Sequence, residues 1–309
     1  MSSAASPAPA PPQPAARQPA PAAPRGWRVG LRRLLGNRLL TIGVIIMLPI
    51  CVMALAAPHL TPYDPIAIDT SQKLLPMSRA HPFGTDELGR DVLTRVIHGS
   101  RISLRVGALA TLFAAVAGGA LGLLAGYYRV ADQLISRVVD GVVMFPGLVL
   151  GIMLMAALGP AEFNVVIAFT IINAPRLVRV VRASVLEVKE MDYVDAARVS
   201  GIPNVRILVG HILPNAYAPA VVQVSLGFAD AILAEAGLSF LGIGTPPPAP
   251  SWGNILSNAR EFVRTAPWLM VIPGAMITLA VMGMNLIGDG LRDRFDPKLR
   301  RVREGARHG

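Results

Sequence analysis

Long apolar stretches alternate along this chain with charged connections, and six of the stretches read as membrane-crossing helices. The first runs from Leu39 to Ala57 without a charge. That is close to the ~20 residues that cross a ~30 Å hydrocarbon core at 1.5 Å per residue. A basic flank before it and Ala54-Leu55-Ala56 near its end also suit a secretory signal. The run is longer than a signal's ~7–15-residue core, however, and more spans follow. The others cover 106–128, 141–161, 163–181, 216–238 and 265–288. The fourth is the weakest, because Arg176 and Arg179 enter its last turns and must snorkel to the interface. The pattern therefore predicts an all-α membrane protein with six transmembrane helices. On the second span Ala110, Ala114, Gly118, Gly122 and Gly126 recur every four residues, and Gly147 and Gly151 do so on the third. Small residues at this spacing let helix backbones approach closely in lipid.

Residues 1–24 are almost entirely Ala, Pro, Ser and Gln. Such a segment has little to bury and is expected to be a disordered tail, leaving 25–309 as the transmembrane domain. Over the whole chain of 309 residues, 53% are hydrophobic and 16% are charged, against roughly 25% charged in an ordinary soluble domain. This composition excludes a disordered protein and argues against a soluble enzyme. The net charge of +10 would suit nucleic-acid binding, but its distribution points to a membrane instead. With both termini inside, 21 of the 29 basic residues fall in inner segments and 8 in outer ones. That asymmetry satisfies the positive-inside rule, and no nucleic-acid partner is expected.

Several chemistries lack their residues. No Gly-Lys-Ser/Thr occurs, and none of Lys73, Lys189 and Lys298 follows a glycine, so a P-loop is absent and the chain is not expected to be an enzyme. Cys51 is the single cysteine, which excludes an intramolecular disulfide and a cysteine-based zinc site. His59, His81, His98, His211 and His308 lie far apart without metal-ligand spacing. No catalytic residue, metal or cofactor is expected. Asp230 and Glu235 are the only acids well inside a predicted span. They suit a proton site of an ion-coupled secondary carrier, or packing inside the bundle. Five residues apart, they point about 140° apart on a helix and share no relay, which favours packing.

Two polar segments carry more specific patterns. The inner connection, 189–214, contains Asp192-Tyr-Val-Asp195-Ala196-Ala197-Arg-Val-Ser-Gly201 and then His211-Ile-Leu213-Pro214-Asn215. It reads as a short helix, a glycine break and a second helix leading into the fifth span. Ala196 and Ala197 adjoin on the first helix and leave a shallow surface for another protein's groove. The outer connection contains His81-Pro-Phe-Gly84-Thr-Asp86-Glu-Leu-Gly89-Arg90-Asp91 and continues to Gly99-Ser-Arg101-Ile-Ser103. Thr85 as a cap, Asp86–Arg90 and Asp91–Arg95 as i,i+4 pairs, and a Leu88, Val92, Val96 stripe predict an amphipathic helix on the outer interface.

The inner string resembles the EAA loop of ATP-binding-cassette importer permeases, with Asp195 where that family has Glu and Ile212-Leu213-Pro214 at its end. The outer string is similar to the signature of the C-type permease subunits of dipeptide, oligopeptide and nickel importers. So are Glu235-Ala-Gly-Leu-Ser239-Phe-Leu-Gly242-Ile-Gly244 with the proline run to Trp252, and Asp132 to Pro146. The likeness spans residues 30–300 or so. It implies the type I importer (MetI-like) permease fold, in a bacterial cytoplasmic membrane, with the 189–214 loop as a coupling helix. Asp195, Ala196, Ala197 and Gly201 would then meet the ATPase. It also implies a homologous second permease, two cytoplasmic ATP-binding subunits or domains, and an extracytoplasmic solute-binding protein. Di- and oligopeptides are the substrates it suggests first, with nickel chelates or glutathione as alternatives.

Overall fold

The computed structural model describes residues 37–295. The Ala/Pro-rich tail, the first arginine cluster and the last basic stretch lie outside them. The described residues are helical, apart from one isolated bridge between Thr85 and Asp91 and irregular connections. Five helical runs are long and apolar enough to cross a membrane. They are α1 (Arg38–Leu60), α2 (Val92–Tyr127), α5 (Glu162–Val188), the run 204–240 and α10 (Trp268–Phe295). The run 204–240 begins as α7 (Asn204–Ile207), passes through a π turn at Leu208–Ile212 and continues as α8 (Leu213–Phe240).

The third expected span, 141–161, does not form one straight helix. It divides between α3 (Arg129–Val143) and α4 (Gly147–Leu158), which meet at 93°. Pro146 lies at the bend, and proline disfavours helical geometry at the residue before it and lacks an amide donor. The 12 residues of α4 extend about 18 Å, short of a ~30 Å hydrocarbon core. Among the described residues the count is therefore five candidate spans, or six if the bent pair is one broken span.

The expected amphipathic helix on the outer connection is also replaced. Residues 81–91 form turns instead, with Gly84 at φ +73° and Gly89 at φ +77°. Asp91 caps α2, its carboxylate accepting from the Thr94 amide at 2.8 Å. Arg95 turns to Asp86 at 3.4 Å rather than to Asp91, and Arg90 donates to Asp86 at 2.7 Å. Asp91 instead faces His81 at 2.9 Å. These charged groups are buried together, and this network folds the turn as no apolar stripe would. Short-range carboxylate acceptance from backbone amides competes with helix formation in this way.

The stripe of small residues does pack helices. Ala110, Ala114, Gly118, Gly122 and Gly126 are all buried on α2. A Cβ on Gly122 would stand 2.7 Å from the Val181 Cβ, and one on Gly126 would stand 2.5 Å from the Val185 Cβ. The α2 backbone therefore lies directly on α5. A cluster around Val92, Trp252 and Leu269 fills the other end of the bundle, beside the short helix α9 (Trp252–Ala259).

Candidate functional site

Between α5 and α7 the chain forms α6 (Asp192–Val199). Asp192 and Asp195 occupy its first turn and Arg198 its last, which complements the helix dipole at both ends. The Arg198 guanidinium also donates to Asp195 at 2.8 Å. The helix ends in a Schellman turn: the Gly201 amide donates to the Arg198 carbonyl at 3.0 Å and the Ile202 amide to the Ala197 carbonyl at 3.2 Å. Gly201 has φ +75°. A Cβ there would meet nothing within 4 Å, so this glycine answers to backbone conformation and not to space.

The structure separates the two alanines. Val194 and Ala197, three residues apart, share the inner face and pack with Ile207 and Ile212. Ala196 is exposed, with Tyr193, Asp195 and Val199 around it. Neighbouring residues on a helix point about 100° apart, so one flat surface from both alanines does not form. The exposed face belongs to Ala196, and Ala197 seats α6 on its own chain.

This unit is tied to two membrane-length helices. Tyr127 at the end of α2 donates to Asn204 at 2.8 Å, and Lys189 donates to the Gly126 carbonyl at 3.1 Å. On the other side, α7 continues through the π turn into α8.

A second constellation lies on α5. Arg176, Arg179 and Arg182 all lie within α5, which runs on to Val188. Each meets a carboxylate on another helix: Asp230 on α8, and Asp140 and Asp132 on α3. Residues of α4, α5 and α8 enclose an open recess of about 420 Å³, largely apolar, at which Asn173, Arg176 and Asp230 supply polar groups. Gly147 and Gly151 keep its α4 wall thin, lying against Ile172 and Leu238.

Within this chain Asp230 pairs with Arg176, and the two side chains are 49% and 60% exposed. Glu235 is the opposite case. It is wholly buried and accepts from Ser103 at 2.9 Å, Ser239 at 2.7 Å and Thr245 at 3.3 Å. Its carboxylate ties α2 and α8 to the loop after α8. The part of Arg176 and Asn173 in the recess was hidden from sequence reasoning. The available signal was the three-residue spacing of Arg176, Arg179 and Arg182 opposite lone aspartates on other helices.

Comparison with known proteins adds independent findings. Residues 118–301 match the family described as binding-protein-dependent transport system inner membrane component. Residues 26–76 match the N-terminal transmembrane domain of oligopeptide transport permease C. A dipeptide transport system permease protein of Alkalihalophilus pseudofirmus is 45% identical over 275 residues, covering 89% of this chain and 90% of that protein. A putative peptide transport system permease protein of Brucella abortus is 46% identical, covering 87% and 91%. A dipeptide transport system permease protein of Haemophilus influenzae is 41% identical, covering 85% and 92%.

Proposed function

The chain belongs to the family of inner-membrane components of binding-protein-dependent transport systems, and on that premise we propose that it is the permease subunit of an ATP-driven peptide importer, moved through its α6 loop. The peptide class rests on the names of relatives that are 41% and 45% identical to it over most of their length. In this reading the chain forms half of the translocation path and a homologous second permease forms the other half. Two cytoplasmic ATP-binding subunits or domains hydrolyse ATP. An extracytoplasmic solute-binding protein delivers the ligand.

The observation that carries the mechanism is the mounting of α6. Its outer face is free, its inner face is seated by Val194 and Ala197, and it joins two long helices through Asn204 and α7. A partner that grips the Ala196 face and moves displaces α6 as a unit. The displacement passes to the end of α2 and along the 204–240 run, tilting helices and alternating the side from which the path is open. Asp195 and Ala196 are the contact residues, Ala197 is the seat and Gly201 shapes the turn.

Ala196→Arg places a long cation on the free face without disturbing the seat. It should lower co-purification of the ATP-binding subunits and ligand uptake by at least about tenfold, the loss of roughly 1.4 kcal/mol or more of contact energy. The permease pair should still assemble. Full retention of both ATPase binding and uptake in this variant would remove α6 as the coupling element.

A further inference from the structure

We propose that Arg176 and Asp230 are the charged contacts for the peptide's termini in the translocation path, with the guanidinium receiving the carboxylate and the carboxylate receiving the ammonium. This inference rests on the reading of the chain as a peptide permease, and it names the site at which that reading acts. Arg176 lies near the middle of α5, and Asp230 lies well inside α8. Charges at such positions are expensive in hydrocarbon and face a bundle interior or a watery cavity. Here they line a recess, and their side chains are 60% and 49% exposed. Elsewhere in the chain an ion pair is enclosed by its neighbours, as Arg90 and Asp86 are. This pair instead stands at the edge of about 420 Å³ of space, within the ~300–1,000 Å³ range of small-ligand sites.

The rest of the lining supplies what a short peptide needs. Leu148 and Leu233 offer exposed apolar surface, and the Asn173 amide lies one turn before Arg176. The two ends of a zwitterionic peptide carry one carboxylate and one ammonium. They can replace the Arg176–Asp230 contact with two charge-assisted hydrogen bonds of the same kind. When the recess is empty the two side chains neutralise each other, so no unpaired charge is left in the membrane. The contact reads the termini and not the side chains, which suits a path that passes many peptides.

The test uses the complete transporter in proteoliposomes, with radiolabelled alanylalanine as the probe. Arg176→Gln and Asp230→Asn should each lower initial uptake at least tenfold while still co-purifying with the partner permease and the ATP-binding subunits. The exchanged pair, Arg176→Asp with Asp230→Arg, should recover any lost assembly and leave uptake low, because the two receiving charges have traded places. Unchanged uptake in the single variants overturns the proposal. So does recovery of uptake in the exchanged pair, which makes the contact a brace. Asn173→Cys in a Cys51→Ser background separates this from the reading beneath it. The cysteine should react with a hydrophilic thiol reagent and be shielded by alanylalanine during turnover. An unreactive cysteine, or no alanylalanine uptake by the wild-type transporter, refutes the path or the peptide reading itself. A reactive cysteine with normal uptake in the charge variants refutes the charged contacts alone.

Discussion

Gly201 and Ala197 are two small residues four positions apart that shape the α6 unit by different means. At φ +75° a β-branched side chain is strained, and a residue held in the left-handed region costs about 1–3 kcal/mol. Gly201→Val should therefore lower the melting temperature of the purified permease, and Gly201→Asn should lower it less, since Asn tolerates this region. Equal losses from both would mean that packing, not backbone angle, selects the glycine. Ala197 acts by size. It touches Val194 and Ile207 in a filled cluster, and extra methylenes in such a place typically cost about 1–3 kcal/mol. An Ala197 variant with a long side chain thus damages the seat and reports on folding, whereas one at Ala196 reports on the partner. The Asp-Ala-Ala-Gly pattern identified the loop from sequence, but not which alanine faced outward. That depends on the direction from which the cluster of Ile207 and Ile212 closes over the helix.

At the scale of elements, the pairing of α2 with α5 is set by glycine. Gly122 and Gly119 lie on the same helix, but a Cβ on Gly122 would strike Val181 at 2.7 Å, while one on Gly119 meets nothing within 4 Å. Gly122→Ala should destabilise the permease by about 1–3 kcal/mol through forced separation of the helices. Gly119→Ala should be neutral or stabilising by up to about 1 kcal/mol, because alanine loses less backbone freedom in a helix. Thermal unfolding of the two purified variants checks this, and a matched loss in both would deny the close contact. The four-residue spacing was legible because helical periodicity places i and i+4 on one face whatever the partner. The bend between α3 and α4 was less so. The apolar pattern continues through Pro146, and hydropathy carries no information about direction. Likewise the i,i+4 pairing of Asp86 with Arg90 is real, yet it occurs in a turn, where capping and buried hydrogen bonds outweigh local helix preference.

For the whole molecule, the orientation in the membrane is a prediction from charge. With 21 of 29 basic residues assigned to the inner side, α6 is expected to face the cytoplasm. Arg176, Arg179 and Arg182 belong to that inner count, but they are spent on helix-to-helix ion pairs. Discounting them weakens the asymmetry without reversing it. A cysteine at the exposed position Ser200, in a Cys51→Ser background, should resist membrane-impermeant thiol reagents in intact cells and react in inverted vesicles. Rapid labelling in intact cells would invert the topology. The sequence by itself determined five long apolar helices and the small-residue stripe, because each of these depends on residue type at a regular spacing along one stretch of chain. Only the tertiary structure decided that Arg176 meets Asp230 across a recess, that Ala197 lies inward, and that Glu235 is held by three hydroxyl groups. Those contacts join residues far apart in the chain, and their partners are chosen by how α2, α5 and α8 pack. No local pattern encodes that choice.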